Sequence, residues 1–270
     1  MNRDRIAALI GKELREFRAN PSAIAPVVLV ILVCLALPFV VLVLIPHLTG
    51  ESLAADPVLR KAVSFAALYV PSLAGLPPAA AAEAFLFQQF LLLFLVAPIV
   101  GAVSLAAYSV VGEKQGRTLE PLLTTPLTTV EMLLSKVLAA FLPSLVIEAV
   151  GLVIYLSLVG VFAAPGVLQA IFNMRTVLLV GGIGPFASLA ALQATIAVSS
   201  RVSDPRSAQQ IAVLLVLPLV LMLVGQVAGA FVITTTALAL LMVAFAVTWI
   251  ILLYLSVALF QRETILTSWK

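Results

Sequence analysis

Charged residues, cysteine and histidine are all scarce in this chain of 270 residues. Only 10% of the residues are charged, whereas a soluble domain carries about 25%. The single cysteine, Cys34, cannot form a disulfide within the chain, and the single histidine, His47, cannot supply a histidine cluster for a metal. These shortages exclude a soluble globular domain, a disulfide-rich secreted domain and a histidine-based metal centre.

Apolar sequence takes the place of the missing charge. Hydrophobic residues make up 63% of the chain, and the mean hydropathy is +1.22. A helix needs about 20 apolar residues to cross a bilayer. Six segments meet that length: 24–45, 85–111, 132–159, 176–198, 208–232 and 236–260. We therefore predict an all-α, polytopic membrane bundle of six helices that forms one permease domain over residues 1–270. The boundary between the last two spans is the hardest to locate, because no charged residue interrupts the sequence there.

The basic residues predict the orientation in the membrane. If the N-terminus is cytoplasmic, the cytoplasmic segments hold twelve of the 15 Lys and Arg residues, and the external segments hold only Arg60, Lys61 and Arg175. By the positive-inside rule, both termini are cytoplasmic in the inner (plasma) membrane. The first external connection, 46–84, contains a mild apolar patch that is too short to cross, so we expect a surface helix or a partly re-entrant segment there.

The first 21 residues predict an amphipathic helix. Ile6, Ile10, Leu14 and Phe17 recur at helical spacing on one stripe, which only Glu13 interrupts. The opposite side is mostly basic, and a basic amphipathic helix before a first span typically lies in the membrane interface. We expect 1–21 to be a cytoplasmic interfacial helix. The alternative is a basic flank that only sets the orientation.

A patterned hairpin, 112–131, separates the second and third predicted spans. Its centre predicts a short helix with an apolar patch of leucines, and Pro126 ends that helix. Thr128 and Glu131 then have the spacing of a capping box, which starts the third span. The leucines could face lipid, or they could fill a groove on a partner protein, with Arg117 and Glu120 setting the register.

The order of residues in this hairpin resembles the signature of type-2 ABC exporter permeases. The matching positions are Glu113, Gly116, Thr118-Leu119-Glu120, Leu122-Leu123, Thr125-Pro126-Leu127, Glu131, Leu134 and Lys136. Arg117 is inserted between the glycine and the threonine, and the rest stays in register. Two further segments are similar to the family: the entry helix around Lys12–Phe17 with Asn20-Pro21, and Ser199–Arg201 with Ala208–Gln210.

The resemblance implies a permease subunit that works with a second permease copy, identical or paralogous, and with two ATP-binding-cassette ATPases. The hairpin would be the coupling helix in the ATPase groove. The residues that carry this role by position are Glu113, Arg117, Thr118, Leu119, Glu120, Leu122 and Leu123. Nucleotide closure of the ATPases would push the hairpins and open the pathway outward. Export, rather than import, follows from the resemblance alone.

The sequence shows no ATP-hydrolysing site of its own. It lacks a phosphate loop of the form G-x-x-x-x-G-K-[ST]. We therefore expect a non-enzymatic subunit without a cofactor or metal of its own, and we expect ATP and magnesium on the partner ATPase. The partners are the ATPases, the second permease and the lipid bilayer, with no nucleic acid.

Three polar residues inside predicted spans are candidates for the pathway or its gate: Glu148, Gln193 and Gln226. A carboxylate within a span is costly and usually faces the bundle interior or a water-filled cavity. Glu148 could instead be protonated, or paired across helices, for packing alone. The mostly apolar spans favour a lipid-like or drug-like amphiphile over a sugar polymer, and an ion remains an option.

Other functions fit the sequence less well. A secondary transporter often has internal repeats and several charged groups at the membrane midplane, and we find only Glu148 and no repeat. An intramembrane enzyme needs a cluster of catalytic residues or a Ser–His pair, which one histidine at a span end does not supply. A non-transporting membrane scaffold is disfavoured only by the hairpin.

Overall fold

The long apolar segments form helices. The computed structural model describes residues 3–50, 53–116, 128–199, 207, 210, 221–222, 224–226, 228, 230–231 and 233–259. These residues are almost entirely helical and contain no strand. Five helices among them are long and apolar enough to cross a membrane. The predicted helical membrane bundle is therefore confirmed. The count of six spans stays a prediction, because most of the expected span 208–232 lies outside the described residues.

The first two helices meet at a corner. Helix α1 (Arg3–Ala19) ends one residue before helix α2 (Pro21–Phe39), and only Asn20 separates them. Proline is tolerated in a first helical turn because that backbone N–H would have no partner. The chain beyond α2 continues as a π-helical stretch, Val40–Leu44, and a last segment, Ile45–Thr49. This continuous run covers the predicted first span, 24–45.

The connection 46–84 folds into short helices that do not cross the bundle. Helix α3 (Pro57–Ala67) begins at Asp56, whose Oδ1 accepts hydrogen bonds from the backbone N–H groups of Val58 (2.7 Å) and Leu59 (3.3 Å). Helix α4 (Pro71–Ala74) follows. The apolar residues of both helices and of the turn between them are buried in one cluster with the next helix: Leu59, Ala62, Ala66, Val70 and Leu73. The mild apolar patch of this connection is therefore the buried face of a folded cap.

The predicted second span, 85–111, is two helices in line. Helix α5 (Pro78–Phe94) and helix α6 (Val96–Gln115) are separated by Leu95, whose N–H donates to the carbonyl of Leu92 (3.2 Å). Pro98 explains the position of the break, because it has no N–H to donate to the carbonyl of Phe94. The sequence predicted one continuous span here, and the structure adds a break inside it.

Helix α7 (Thr129–Phe162) begins with the predicted capping box, which is confirmed. Thr128 Oγ1 accepts from the N–H of Glu131 (3.2 Å), and Glu131 Oε2 accepts from the N–H of Thr128 (3.1 Å). The helix runs through Pro143 without ending, and a short helix α8 (Val167–Ile171) follows it.

The last described helices are α9 and α10. A short segment, Met174–Thr176, and a π-helical stretch, Val177–Ile183, lead into helix α9 (Gly184–Ser199). Helix α10 (Thr235–Leu259) packs against α9 and the π-helical stretch. A Cβ added to Gly182 would lie 2.6 Å from Met242 Sδ, so the missing side chain lets α10 approach closely.

Helix α6 lies at the centre of the bundle, in contact with α2, α7 and α9, and α1 packs across α7. The C-terminal turns of α6 and the N-terminal turns of α7 lie beside α1. We call this end of the bundle the α1 end, and the other end, which carries α3 and α4, the opposite end.

Candidate functional site

Four charged residues meet at the base of the hairpin. Lys136 Nζ lies 2.8 Å from Glu13 Oε1 and 2.8 Å from Glu113 Oε2, and Lys12 Nζ lies 2.6 Å from Glu113 Oε1. Lys12 and Glu13 come from α1, Glu113 from the last turn of α6, and Lys136 from the second turn of α7. We call these four residues the hairpin-base cluster. It connects α1 to both helices that enter the hairpin.

Three of the four side chains are withdrawn from solvent. The exposed fraction is 4% for Lys136, 2% for Glu13 and 3% for Glu113, against 34% for Lys12. Ser109 Oγ adds a hydrogen-bonding contact to Lys136 Nζ at 2.8 Å. The two lysines balance the two glutamates, and buried charges persist in proteins when they are paired in this way. The four charges therefore compensate one another when all are present. The loss of one side chain leaves a buried charge uncompensated.

Lys12 joins the cluster from its partly exposed edge. Burial opposes the charged ammonium of Lys12, but the hydrogen bond and negative charge of Glu113 outweigh burial and raise the pKa of Lys12 above its ordinary value. Lys12 Nζ also lies 3.5 Å from Glu16 Oε1, one turn further along α1. Lys12 therefore keeps its charge throughout the neutral pH range.

Local sequence explains why Glu13 reaches this position. It lies on the same stripe of α1 as Ile6 and Phe17, and that stripe is buried. The residue that interrupts the apolar pattern is thus the partner of Lys136. Sequence analysis missed this pairing, although the signal was present: a carboxylate on a buried stripe and a lysine inside the predicted span 132–159 each need a partner.

The predicted ATPase-contact residues divide into two groups. The Glu113 carboxylate is buried within the protein, between the ammonium groups of Lys12 and Lys136. Glu113 is therefore part of the base of the hairpin. The others lie outside the described residues: Arg117, Thr118, Leu119, Glu120, Leu122 and Leu123.

Glu148 lies deep in α7 and is 3% exposed. Its Oε1 has no hydrogen-bond partner among the described residues. A Cβ added to Gly184 would lie 3.1 Å from that oxygen and 3.4 Å from Leu95 Cδ2. The carboxylate and Leu95, the residue at the break between α5 and α6, therefore both approach Gly184 at the junction of the π-helical stretch with α9. A carboxylate held at such irregular backbone is typical of a functional level inside a membrane protein.

The two candidate glutamines lie at other levels of the bundle. Gln193 is fully buried in α9, and neither polar atom of its side chain has a partner within the described part of the chain. It lies roughly 13 Å beyond Gly184 along the helix axis, toward the α1 end. Gln226 lies near the opposite end, where its Oε1 accepts from the N–H of Ile233 (3.5 Å). The structure therefore does not bring Glu148, Gln193 and Gln226 into one site.

Several polar side chains surround Arg175 near the opposite end. Arg175 Nη2 donates to the carbonyl of Ile233 (2.6 Å), and Gln88 Nε2 donates to Asn173 Oδ1 (3.3 Å). Arg175, Gln88 and Gln226 border a cavity of about 10 Å³, which is the space of one water. Sequence analysis used Arg175 only as an external charge, because nothing local signals that it turns inward.

The comparison with known families decides the identity. The model of a family described as ABC-2 family transporter protein matches residues 7–261, which include all the helices from α1 to α10 in whole or in large part. The chain belongs to the ABC-2 transporter family. No curated protein gives a significant match. As an ABC-2 permease, the chain is a multi-pass membrane subunit of an ABC transporter, and its family associates with ABC ATPase subunits.

The hairpin-base cluster ties three helices together at the α1 end. Separating its paired, buried charges costs several kcal/mol. α1, α6 and α7 are therefore expected to move together there.

Proposed function

We propose that this chain is the permease of an ATP-driven exporter, which forms the pathway with a second permease copy and is coupled to two separate ATPases through the hairpin 112–131. The observation that carries the proposal is the buried contact of Lys136 with both Glu13 and Glu113. Because the cluster joins the two stems of the hairpin to α1, a displacement of the hairpin moves three helices and not the loop alone.

The displacement has a route into the membrane. α1 continues into α2 after Asn20 alone, so a movement of α1 is passed to the first span. α6 carries the same movement toward the break at Leu95, where a helix bends most easily. Glu148 and Leu95, the residue at that break, both approach Gly184, and we assign Glu148 to the gate of the pathway. Gln193 and Gln226 would contact cargo above and below this level.

The proposed orientation puts the α1 end in the cytoplasm of the inner (plasma) membrane. Lys12 and Lys136 lie at that end, and α1 also carries the exposed residues Arg15 and Arg18. The opposite end carries Arg60 and Lys61 on α3. This distribution agrees with the positive-inside rule and supports a cytoplasmic position for both termini and the hairpin.

The proposed cargo is a lipid-like or drug-like amphiphile. Glu148 Oε1 and the apolar side chain of Leu95 both approach Gly184, which has no polar side chain of its own. A pathway with one carboxylate and a few amides suits a molecule with a large apolar part and a small polar or cationic group. A sugar polymer would need many more polar partners.

The experiment is affinity purification of the chain from its native membranes in mild detergent, with mass spectrometry of the bound proteins. We expect an ATP-binding-cassette ATPase in a fixed ratio with the permease. Replacement of Leu119, Leu122 and Leu123 by serine should remove the ATPase and leave the permease folded. The matched control replaces Leu48, Val58 and Leu68, which are exposed apolar residues near the opposite end, and it should keep the ATPase. A permease without any ATPase, even after crosslinking, would contradict the proposal.

A further inference from the structure

An apolar groove opens beside α1 at the level where that helix meets the bundle. Its volume is about 380 Å³, and it lies between α1, α2 and α7. Buried side chains form the back wall, among them Phe17 and Val27, while Leu142 and Val146 stand at the outer edge and are exposed. In a membrane, that outer edge faces the hydrocarbon.

The groove has a direction. Its lining on α7 runs from Leu138 to Ile147, roughly 14 Å along the axis at 1.5 Å per residue. Its lining on α2 runs from Ile24 to Val27, away from the corner at Asn20. The groove therefore begins at the level of α1 and continues toward the middle of the bundle, as an acyl chain does below its headgroup.

A positive charge stands at the mouth. Arg18 lines the groove from the last turn of α1, and it is the charged member of a lining that is otherwise apolar. The nearby Glu16 does not cancel it, because Glu16 Oε1 lies 3.5 Å from Lys12 Nζ. The first turn of α2 follows directly and adds its positive helix end, which the Asn20 side chain leaves uncapped.

We infer that this groove binds one acyl chain of an anionic phospholipid, with the phosphate of its headgroup on Arg18. An arginine at the mouth and a long apolar slot below it match the two parts of such a lipid. The larger groove of about 480 Å³ between α2 and α7 near Phe39 and Phe162 lacks this match, because it has His47 in place of a permanently charged residue. The inference rests on the proposed placement of α1 at the membrane interface, and not on transport or on the ATPase.

The test measures lipid binding to the purified full-length permease by native mass spectrometry. Phosphatidylglycerol and phosphatidylcholine with identical acyl chains are compared. We expect phosphatidylglycerol to bind roughly tenfold more tightly, because the choline ammonium of phosphatidylcholine offsets the negative charge of its phosphate beside Arg18. Arg18→Gln should reduce that affinity to the level of phosphatidylcholine. Arg15→Gln, an exposed position on the same helix outside the groove, should leave most of the preference.

A second pair of variants tests the slot itself. Val146→Trp fills the outer edge of the groove and should lower the affinity for both lipids several-fold. Val150→Trp, equally exposed one turn further along α7 and outside the groove, should not. Soluble glycerol phosphate should not compete, because it has no acyl chain. Equal losses in the two arginine variants, equal behaviour of the two tryptophan variants, or competition by glycerol phosphate would each overturn the inference. None of these results depends on whether an ATPase co-purifies.

Discussion

Lys136 Nζ lies 2.8 Å from Glu13 Oε1, although the two residues are 123 positions apart in the chain. The contact joins the amphipathic helix α1 to the first turns of α7, inside a region where only 4% and 2% of the two side chains are exposed. Buried ion pairs of this kind seldom add much stability, but they strongly disfavour any arrangement that separates them. The pair therefore defines how α1 sits on the hairpin stems.

Lys136→Met should destabilise the protein by about 3–5 kcal/mol, because Glu13 and Glu113 would then share Lys12 as their cationic partner within the described cluster. The double variant E13Q/K136M should recover much of this loss, since Lys12 and Glu113 remain as a balanced pair. The measurement is the unfolding midpoint of the purified permease in detergent. If the double variant is as unstable as the single one, the two side chains do not interact as a pair.

Gly184→Ala should be less stable than Gly181→Ala by roughly 1 kcal/mol, because the helix propensity gained is similar in both and only the methyl group at 184 meets close neighbours. The new Cβ would lie 3.1 Å from Glu148 Oε1 and 3.4 Å from Leu95 Cδ2. Gly181→Ala is the matched control, because a Cβ there meets nothing within 4 Å. Comparison of the unfolding midpoints of the two variants checks the prediction, and equal midpoints would refute the close approach of Glu148 to Gly184.

Glu148→Gln should change cargo-stimulated ATP hydrolysis much more than it changes the amount of folded protein. Glutamine has the shape of glutamate but no charge, and Glu148 Oε1 has no hydrogen-bond partner among the described residues that the substitution would remove. The assay compares ATPase stimulation by a panel of cationic and neutral amphiphiles in the reconstituted complex. A variant that expresses poorly but responds normally to every amphiphile would make Glu148 a packing residue.

The elements that could be predicted from sequence are those with a local cause. Apolar length alone predicts the long helices, and the capping box depends on Thr128 and Glu131, which are three residues apart. The break at Leu95 is partly local, since Pro98 has no N–H to donate to the carbonyl of Phe94. A proline alone does not predict a break, because α7 runs through Pro143 without one. The hairpin-base cluster has no local cause, because it pairs Glu13 and Lys136 across the fold. Its only trace is that each of them stands in an apolar context.

The residues that surround Glu148 could not be predicted from the sequence either. The residue itself stands out as a carboxylate in a predicted span, but it lies beside Gly184 of α9, which Leu95 also approaches from the break between α5 and α6. The same holds for Arg175, whose contact with the carbonyl of Ile233 depends on how the chain returns near the opposite end. Spacing along one helix predicts on which side of that helix a residue lies. It does not predict which neighbouring helix packs against that side.

In the proposed mechanism, the hairpin-base cluster transmits the nucleotide state of the ATPase to the level of Glu148. Ser144 is a suitable reporter, because it lies one turn before Glu148 and is buried at the contact of α7 with α6, where a Cβ on Gly101 would lie 2.8 Å from its Oγ. The most direct measurement uses Ser144→Cys in a Cys34→Ser background, with the complete permease–ATPase complex in lipid nanodiscs. It records the rate at which a small thiol reagent modifies the cysteine, with and without ATP and vanadate.

We predict that trapped nucleotide changes this rate several-fold in the parent complex, and that the change disappears in E13Q/K136M while ATP hydrolysis continues. Arg15→Gln, an exposed charge on the same helix, should keep the nucleotide response. A full nucleotide response in E13Q/K136M would contradict the account.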